Sequence, residues 1–189
     1  MAEGDRERWN AKHEAAWNRP PEPPDDFVLR SLARFPDPHG ASALDLACGA
    51  GRHALDLARR GYLVEAWDVS PLALELLRKR ATAKGLMLAT RELDLATGAP
   101  LDFRRKPFQL VVAVDFLERA LLADFQKLVA PGGHLVFATF TVDRPGDKPS
   151  ERYCLARGEL AAGLPGFETL ATQETGGRAG LFARRLAAN

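Results

Sequence analysis

The chain has little cysteine, almost no net charge and no long apolar run. Cys48 and Cys154 are its only cysteines, too few for a disulfide framework, and the expected compartment is a reducing cytoplasm. Cys48 reads as a small packing residue, because no base is paired with it. Twenty-six basic residues face 25 acidic ones, for a net charge of +1, and they are scattered. A nucleic-acid partner is therefore not expected. No stretch approaches the roughly 20 apolar residues of a membrane helix, and the first residues hold Glu3, Asp5 and Arg6 rather than a signal sequence. No His/Asp cluster has metal-ligand spacing, so no metal is expected. Neither repeats nor low-complexity segments occur beyond the link Pro20-Pro21-Glu22-Pro23-Pro24, which reads as stiff and extended.

What remains is ordinary globular composition, 46% hydrophobic and 27% charged, in 189 residues. That length predicts one domain, with room for a core but not for a separate substrate domain. Loops must then grip any substrate. Before the link, residues 5–19 read as a helix with Trp9, His13, Ala16 and Trp17 on one stripe. After it, Asp25 or Asp26 caps a second helix running to Phe35, with Phe27, Val28, Leu32 and Phe35 buried; Pro36 and Pro38 end it.

From Ala41 onward strands and helices alternate. The first strand is expected at 42–47, with Gly61 closing the helix that follows it. A second strand ends at Asp68, after which Ser70 caps and Pro71 opens a helix carrying Leu72, Leu76, Leu77 and Arg80. A third strand at 86–93 precedes Asp94. Residues 108–114 are almost wholly apolar, as a central parallel strand requires. A helix over 118–129 buries Leu121, Phe125, Leu128 and Val129, and Pro131-Gly132-Gly133 turns the chain into a strand at 134–140. A polar loop, 143–152, and a short helix near 157–162 follow. Two last runs, 167–174 and 179–186, are joined by Thr175-Gly176-Gly177-Arg178, too short for a parallel crossover and hence an antiparallel hairpin. The expected class is α/β: a Rossmann-like, seven-stranded, mostly parallel sheet with an antiparallel last strand and helices on both faces. Residues 1–40 form an N-terminal helical cap segment and 41–189 the main domain.

The most informative run is Ala43-Leu44-Asp45-Leu46-Ala47-Cys48-Gly49-Ala50-Gly51, an apolar strand entering an acid, two glycines and then a helix pattern. Glycines there let the backbone turn sharply and approach a ligand at the strand's carboxyl end. Asp68 follows where an acceptor for ribose hydroxyls belongs. His53 opens a helix and reads as a helix-face residue; His134 begins a strand and reads as structural or solvent-facing.

These residues resemble the class I S-adenosylmethionine-dependent methyltransferases. The sequence Phe116-Leu117-Glu118-Arg119, then Pro131-Gly132-Gly133, then Ala138-Thr139-Phe140-Thr141 is similar to the small bacterial tellurite-resistance and thiopurine methyltransferase-like group. Trp9-Asn10-Ala11-Lys12-His13 resembles that group's tryptophan-led opening, with His13 in place of a more typical tyrosine. The resemblance implies the cofactor S-adenosyl-L-methionine, with S-adenosyl-L-homocysteine as product. It implies a cofactor site of Asp45, Ala47, Gly49, Gly51, Asp68, Val69, Asp94, Leu95 and Asp115. Asp45 would meet the ammonium, Asp68 the ribose, and Asp94 with Leu95 the adenine. Asp115, Phe116 and Arg119 are candidates for catalysis, and Trp9, His13, Trp17, Phe140 and Tyr153 for contact with a small-molecule acceptor. The fourth strand's end lacks the Asn/Asp-Pro-Pro-aromatic tetrapeptide of nucleobase amino-methyltransferases. Two alternatives stand beside metal-independent methyl transfer: a non-catalytic cofactor sensor or partner module, and a nicotinamide-dependent oxidoreductase, since Gly49 to Ala54 fits Gly-x-Gly-x-x-Gly/Ala.

Overall fold

Seven strands lie in one sheet in the order β3-β2-β1-β4-β5-β7-β6 in this computed structural model, which describes residues 2–34, 38–96 and 106–187. Helices α1 (Ala2–Ala15) and α2 (Asp26–Leu32) precede β1 (Ser42–Leu46), α3 (Arg52–Arg59), β2 (Leu63–Asp68), α4 (Pro71–Ala83) and β3 (Ala89–Glu92). The chain then crosses to β4 (Phe108–Val114), α5 (Arg119–Leu122), α6 (Phe125–Leu128), β5 (Val129–Phe140), β6 (Phe167–Thr175) and β7 (Arg178–Arg185). Strands β1 to β5 pair in parallel, whereas β7 inserts antiparallel between β5 and β6. Gly176 and Gly177 turn the β6–β7 hairpin with φ of 59° and 75°, as the primed two-residue turns require.

The apolar alternation of the central strands divides the core. Leu44, Leu46, Val111, Leu135, Phe137 and Leu181 pack on one face; Ala43, Val64, Leu110, Val112, Val136 and Phe182 pack on the other. Helix α2 belongs to the second set, through Phe27, Val28 and Leu32. Asp25 is its N-cap, accepting the Phe27 N–H at 2.8 Å. Gly180 of β7 has no Cβ to strike the Phe27 ring, which an added Cβ would meet at 2.7 Å. Phe35 and Pro36, expected to close this helix, lie outside the described residues.

Several boundaries differ from expectation, each for a local reason. Helix α1 stops at Ala15 and finishes in tighter turns, with Ala16 and Trp17 N–H groups reaching only three residues back before the proline link. The helix expected at 118–129 is two short ones, because Asp124 N–H bonds to Leu121 O and its own carbonyl starts a new turn to Lys127 and Leu128. Val129 consequently opens β5, which carries Pro131-Gly132-Gly133 as an irregularity between the pairs Phe108–Val129 and Leu110–His134. No helix forms at 157–162: Gly158 takes φ 68°, and the segment is a chain of turns. The helical turn in that region is instead Glu151–Tyr153, within the expected polar loop. Strand β3 is shorter than expected because Leu86 N–H is spent capping α4 on Ala81 O. In α4 the buried stripe is Ala73, Leu74, Leu76, Leu77 and Ala81, leaving Leu72 and Arg80 half-buried.

Gly51 shows how closely the layers meet. It caps α3 with φ 81°, and a Cβ placed there would lie 2.2 Å from Leu77 Cδ1. The substitution Gly51→Ala combines left-handed strain with overpacking and should cost about 3 kcal/mol of folding stability. Urea unfolding of the variant checks this; a loss below about 1 kcal/mol would show that α4 yields easily.

Candidate functional site

The carboxyl ends of the parallel strands gather the acids. Asp45 lies within β1, Asp68 ends β2, Asp94 follows β3 and Asp115 follows β4. Between β1 and β4 the chain order reverses, which in open α/β sheets opens a crevice for ligands.

Asp45 is buried, and its Oδ2 accepts the Ala54 N–H at 2.8 Å, so the strand carboxylate caps a helix whose N-cap Gly51 has no side chain to do so. The turn between them runs through Ala47, Gly49 and Gly51 at φ 55°, 51° and 81°. Cys48 N–H holds Trp67 O of β2 across this turn at 3.0 Å. Asp68 is also buried; Oδ2 accepts the Gly49 N–H at 2.7 Å and Oδ1 the Ser70 N–H at 2.9 Å. A single carboxylate thus ties the glycine turn to the start of α4. Val69 beside it is half-buried. Asp94 Oδ1 accepts the Ala96 N–H at 2.9 Å, while its buried Oδ2 has no hydrogen-bond partner among the described residues; Leu95 is buried next to it.

Burial raises the Asp45 carboxyl from 3.8 to about 7, with the Ala54 N–H opposing and Asp68 reinforcing the rise. Desolvation raises Asp68 as well, against the Ser70 and Gly49 N–H groups and His13. Cys48 is pushed well up by burial beside these two acids, so it is a neutral thiol.

The substrate-contact candidates do not converge on one point. His13 lies over the glycine turn, where a Cβ on Gly49 would sit 3.4 Å from its Cε1; burial lowers its pKa, although Asp68 pulls it upward. Trp9 stacks on His13 at 6.3 Å, and Trp17 lies under Lys79 of α4. Phe140 belongs to the opposite side, beneath the Arg178 guanidinium at 4.8 Å. Tyr153 pairs through its hydroxyl with Arg152. Of the catalytic candidates, Asp115 stands exposed at φ 59°, Phe116 is partly buried, and Arg119 is occupied with the carbonyls of Arg152 and Cys154 and with Glu159.

Four contributors escaped the sequence reading. Asn10 Oδ1 accepts the Ser70 hydroxyl at 2.6 Å, and Arg80 donates to Ala50 O and Arg19 O, so α1 and the turns after it are fastened above α4. Arg52 and Arg178 both grip Asp115, at 2.7 and 2.6 Å. Only Arg52 had a signal, its position immediately after Gly51. His53 is buried rather than displayed on its helix face: Nε2 accepts the Asp25 N–H at 3.1 Å, and desolvation lowers its pKa to about 4. It anchors α2 as a neutral ring.

Residues 43–133 match the methyltransferase-domain family. Over that stretch, just under half of its length, the chain is similar to methyltransferase domains. It is 33% identical over 119 residues to a ubiquinone biosynthesis O-methyltransferase of Alkalilimnicola ehrlichii, covering 60% of this chain and 46% of that protein. It is 37% identical over 122 residues to the protein of that name from Methylocella silvestris, covering 62% and 44%. The chain therefore spans about half the length of the curated relatives it matches. Among solved structures, TehB from Haemophilus influenzae superposes with a TM-score of 0.69 at 22% identity, covering 85% of this chain and 61% of that one. Magnesium protoporphyrin IX methyltransferase from Synechocystis, with bound S-adenosylhomocysteine, reaches 0.70 at 19% identity and covers 98% and 100%. These two likenesses concern the fold. The methyltransferase sheet also sets aside the nicotinamide alternative, because the dinucleotide-binding order has no antiparallel strand inserted before the last.

The raised Asp45 pKa sets a sign for stability. The native state holds this proton more tightly than the unfolded chain, so the penalty for ionising Asp45 is absent below about 4, grows with pH and is complete above about 7. Asp45→Asn keeps an acceptor for Ala54 without the charge. Its stability relative to the parent should improve by about 2 kcal/mol between pH 5 and pH 8. Paired denaturant titrations would expose a pH-independent difference, which would contradict the assignment.

Proposed function

We propose that the chain transfers a methyl group from S-adenosylmethionine to a small-molecule nucleophile at the crevice between β1 and β4. The observation carrying this reading is Asp68: a buried carboxylate held by two backbone N–H groups, directly beside the left-handed glycine turn. Each of its oxygens keeps a further lone pair, which suits two neighbouring ribose hydroxyls. The unpartnered Asp94 Oδ2 fits an amino donor such as that of adenine, with Leu95 as apolar wall. Ala47, Gly49 and Gly51 supply close backbone approach, Val69 a side wall, and Asp45 an anion for the ammonium.

The bound sulfonium supplies an activated methyl group and a good leaving group. The protein's share is then alignment and exclusion of water. Helix α1, fastened through Asn10 and Arg80, and the rim around Phe140 and Tyr153 are the cover in this proposal; residues 1–40 form the helical cap. We read the transfer as independent of metal, since no group of three or more His, Cys, Asp or Glu among the described residues is placed to hold an ion. No helix among those residues is long and apolar enough to cross a membrane, and the balanced charge favours neither nucleic acid nor membrane as partner. A cytoplasmic setting suits Cys48 and Cys154, both free and buried.

Two measurements test the reading. Asp68→Asn should weaken S-adenosylhomocysteine binding at least tenfold, since a hydrogen bond to a charged group is worth roughly 1.5–3 kcal/mol. Calorimetry showing equal affinity would remove Asp68 from the site. Turnover on a panel of phenols, thiols and oxyanions should survive exhaustive chelation. A rate recovered only with added magnesium would refute metal independence, and tight cofactor binding without turnover on any acceptor would favour the sensor.

A further inference from the structure

Resting on the methyl-transfer reading, we infer that Arg52 and Arg178 select an acceptor carrying a carboxylate on an aromatic ring, and that Glu22 holds the carboxylate's place until it arrives. The two guanidiniums come from opposite sides of the rim, Arg52 from the first turn of α3 and Arg178 from the start of β7. Asp115 lies between them, its Oδ2 accepting from Arg52 and its Oδ1 from Arg178. Its backbone is left-handed at φ 59°, a conformation an aspartate adopts at some cost, just beyond β4. Both arginines are largely covered, at 23% and 30% side-chain exposure, so their directions are set.

The remaining partners differ in permanence. Asp25 Oδ2 takes Arg178 at 3.0 Å while Oδ1 caps α2, and its side chain is 15% exposed; it is a fixed part of the frame. Glu22 sits on the proline link, 82% exposed, and reaches Arg52 Nη1 at 3.3 Å. An exposed carboxylate at that separation contributes little and exchanges readily. With Glu22 swung away, Arg52 keeps Asp115 on Nη2 and has Nη1 free to take the carboxylate of an acceptor in Glu22's place. Neither Nε has a hydrogen-bond partner among the described residues, so donors remain for a planar oxygen pair. The Arg178 guanidinium covers one face of Phe140, which leaves the edge of that ring to meet the ring carrying the anion. A cationic acceptor, by contrast, would find both Asp115 oxygens already taken.

The test titrates three para-hydroxylated rings into protein saturated with S-adenosylhomocysteine: 4-hydroxybenzoate, its methyl ester and 4-hydroxybenzylamine. The acid should bind about tenfold or more tighter than the ester, as a charge-assisted pair replaces a neutral one. Arg52→Gln and Arg178→Gln should erase that preference, and Glu22→Gln should tighten the acid severalfold without moving the ester. Equal affinity for acid and ester, preference for the amine, or no binding of the acid while S-adenosylhomocysteine binds normally overturns the proposal and leaves the cofactor reading intact. Loss of S-adenosylhomocysteine binding by the parent protein instead overturns the cofactor reading. Should an arginine variant fail to fold, Glu22→Gln decides alone: unchanged acid affinity refutes the plug.

Discussion

The contact between Gly51 and Leu77 sets the spacing of everything at the carboxyl edge of the sheet. With no Cβ at residue 51, the turn after β1 lies against α4, which follows β2, and two helices attached to adjacent strands share one face. That approach brings the Asp68 carboxylate to the Gly49 N–H and the Cys48 N–H to Trp67 O. A side chain there would separate the helices, and the backbone donors would lose the strand ends that they bind. Turn geometry and site geometry are the same constraint.

Charge is then concentrated where solvent is scarce. Asp45 and Asp68 stand on neighbouring strands, both buried; burial raises the proton affinity of each, and Asp68 adds to the rise at Asp45. Backbone N–H groups from Ala54, Gly49 and Ser70 hold them in place without cancelling the desolvation. Ala47 and Asp115 add left-handed backbone at non-glycine positions on the same edge. Strain and buried charge of this kind persist where the surrounding fold over-determines them.

The sheet was legible in the sequence because its signals are local. The apolar runs at 108–114 and 134–140, Ser70 before Pro71, and the glycine pair between 167–174 and 179–186 each report on a few adjacent residues, and each element formed. Misreadings arose where periodicity and backbone geometry disagreed. Gly158 prevents the helix that 157–162 suggests, and Asp124 divides the one that Leu121, Phe125 and Leu128 suggest. The acids of the cleft were legible for the same reason as the strands, since each lies at or just beyond a strand end.

The opposite half of the rim was illegible because it is written across the chain. Asp25 meets Arg178 over 153 positions, Arg52 meets Asp115 over 63, and Asn10 meets Ser70 over 60. No spacing rule links such residues: β7 and the folded-back α2 bring Asp25 to Arg178, the pairing of β1 with β4 brings Arg52 to Asp115, and α1 packed on α4 brings Asn10 to Ser70. This division has a chemical consequence. The edge at the glycine turn depends on backbone turns that tolerate few substitutions, whereas the far rim depends on long side chains from separate elements. Changes to Arg178, Glu22 or Arg52 can therefore alter what the rim accepts while the glycine turn beneath keeps its shape.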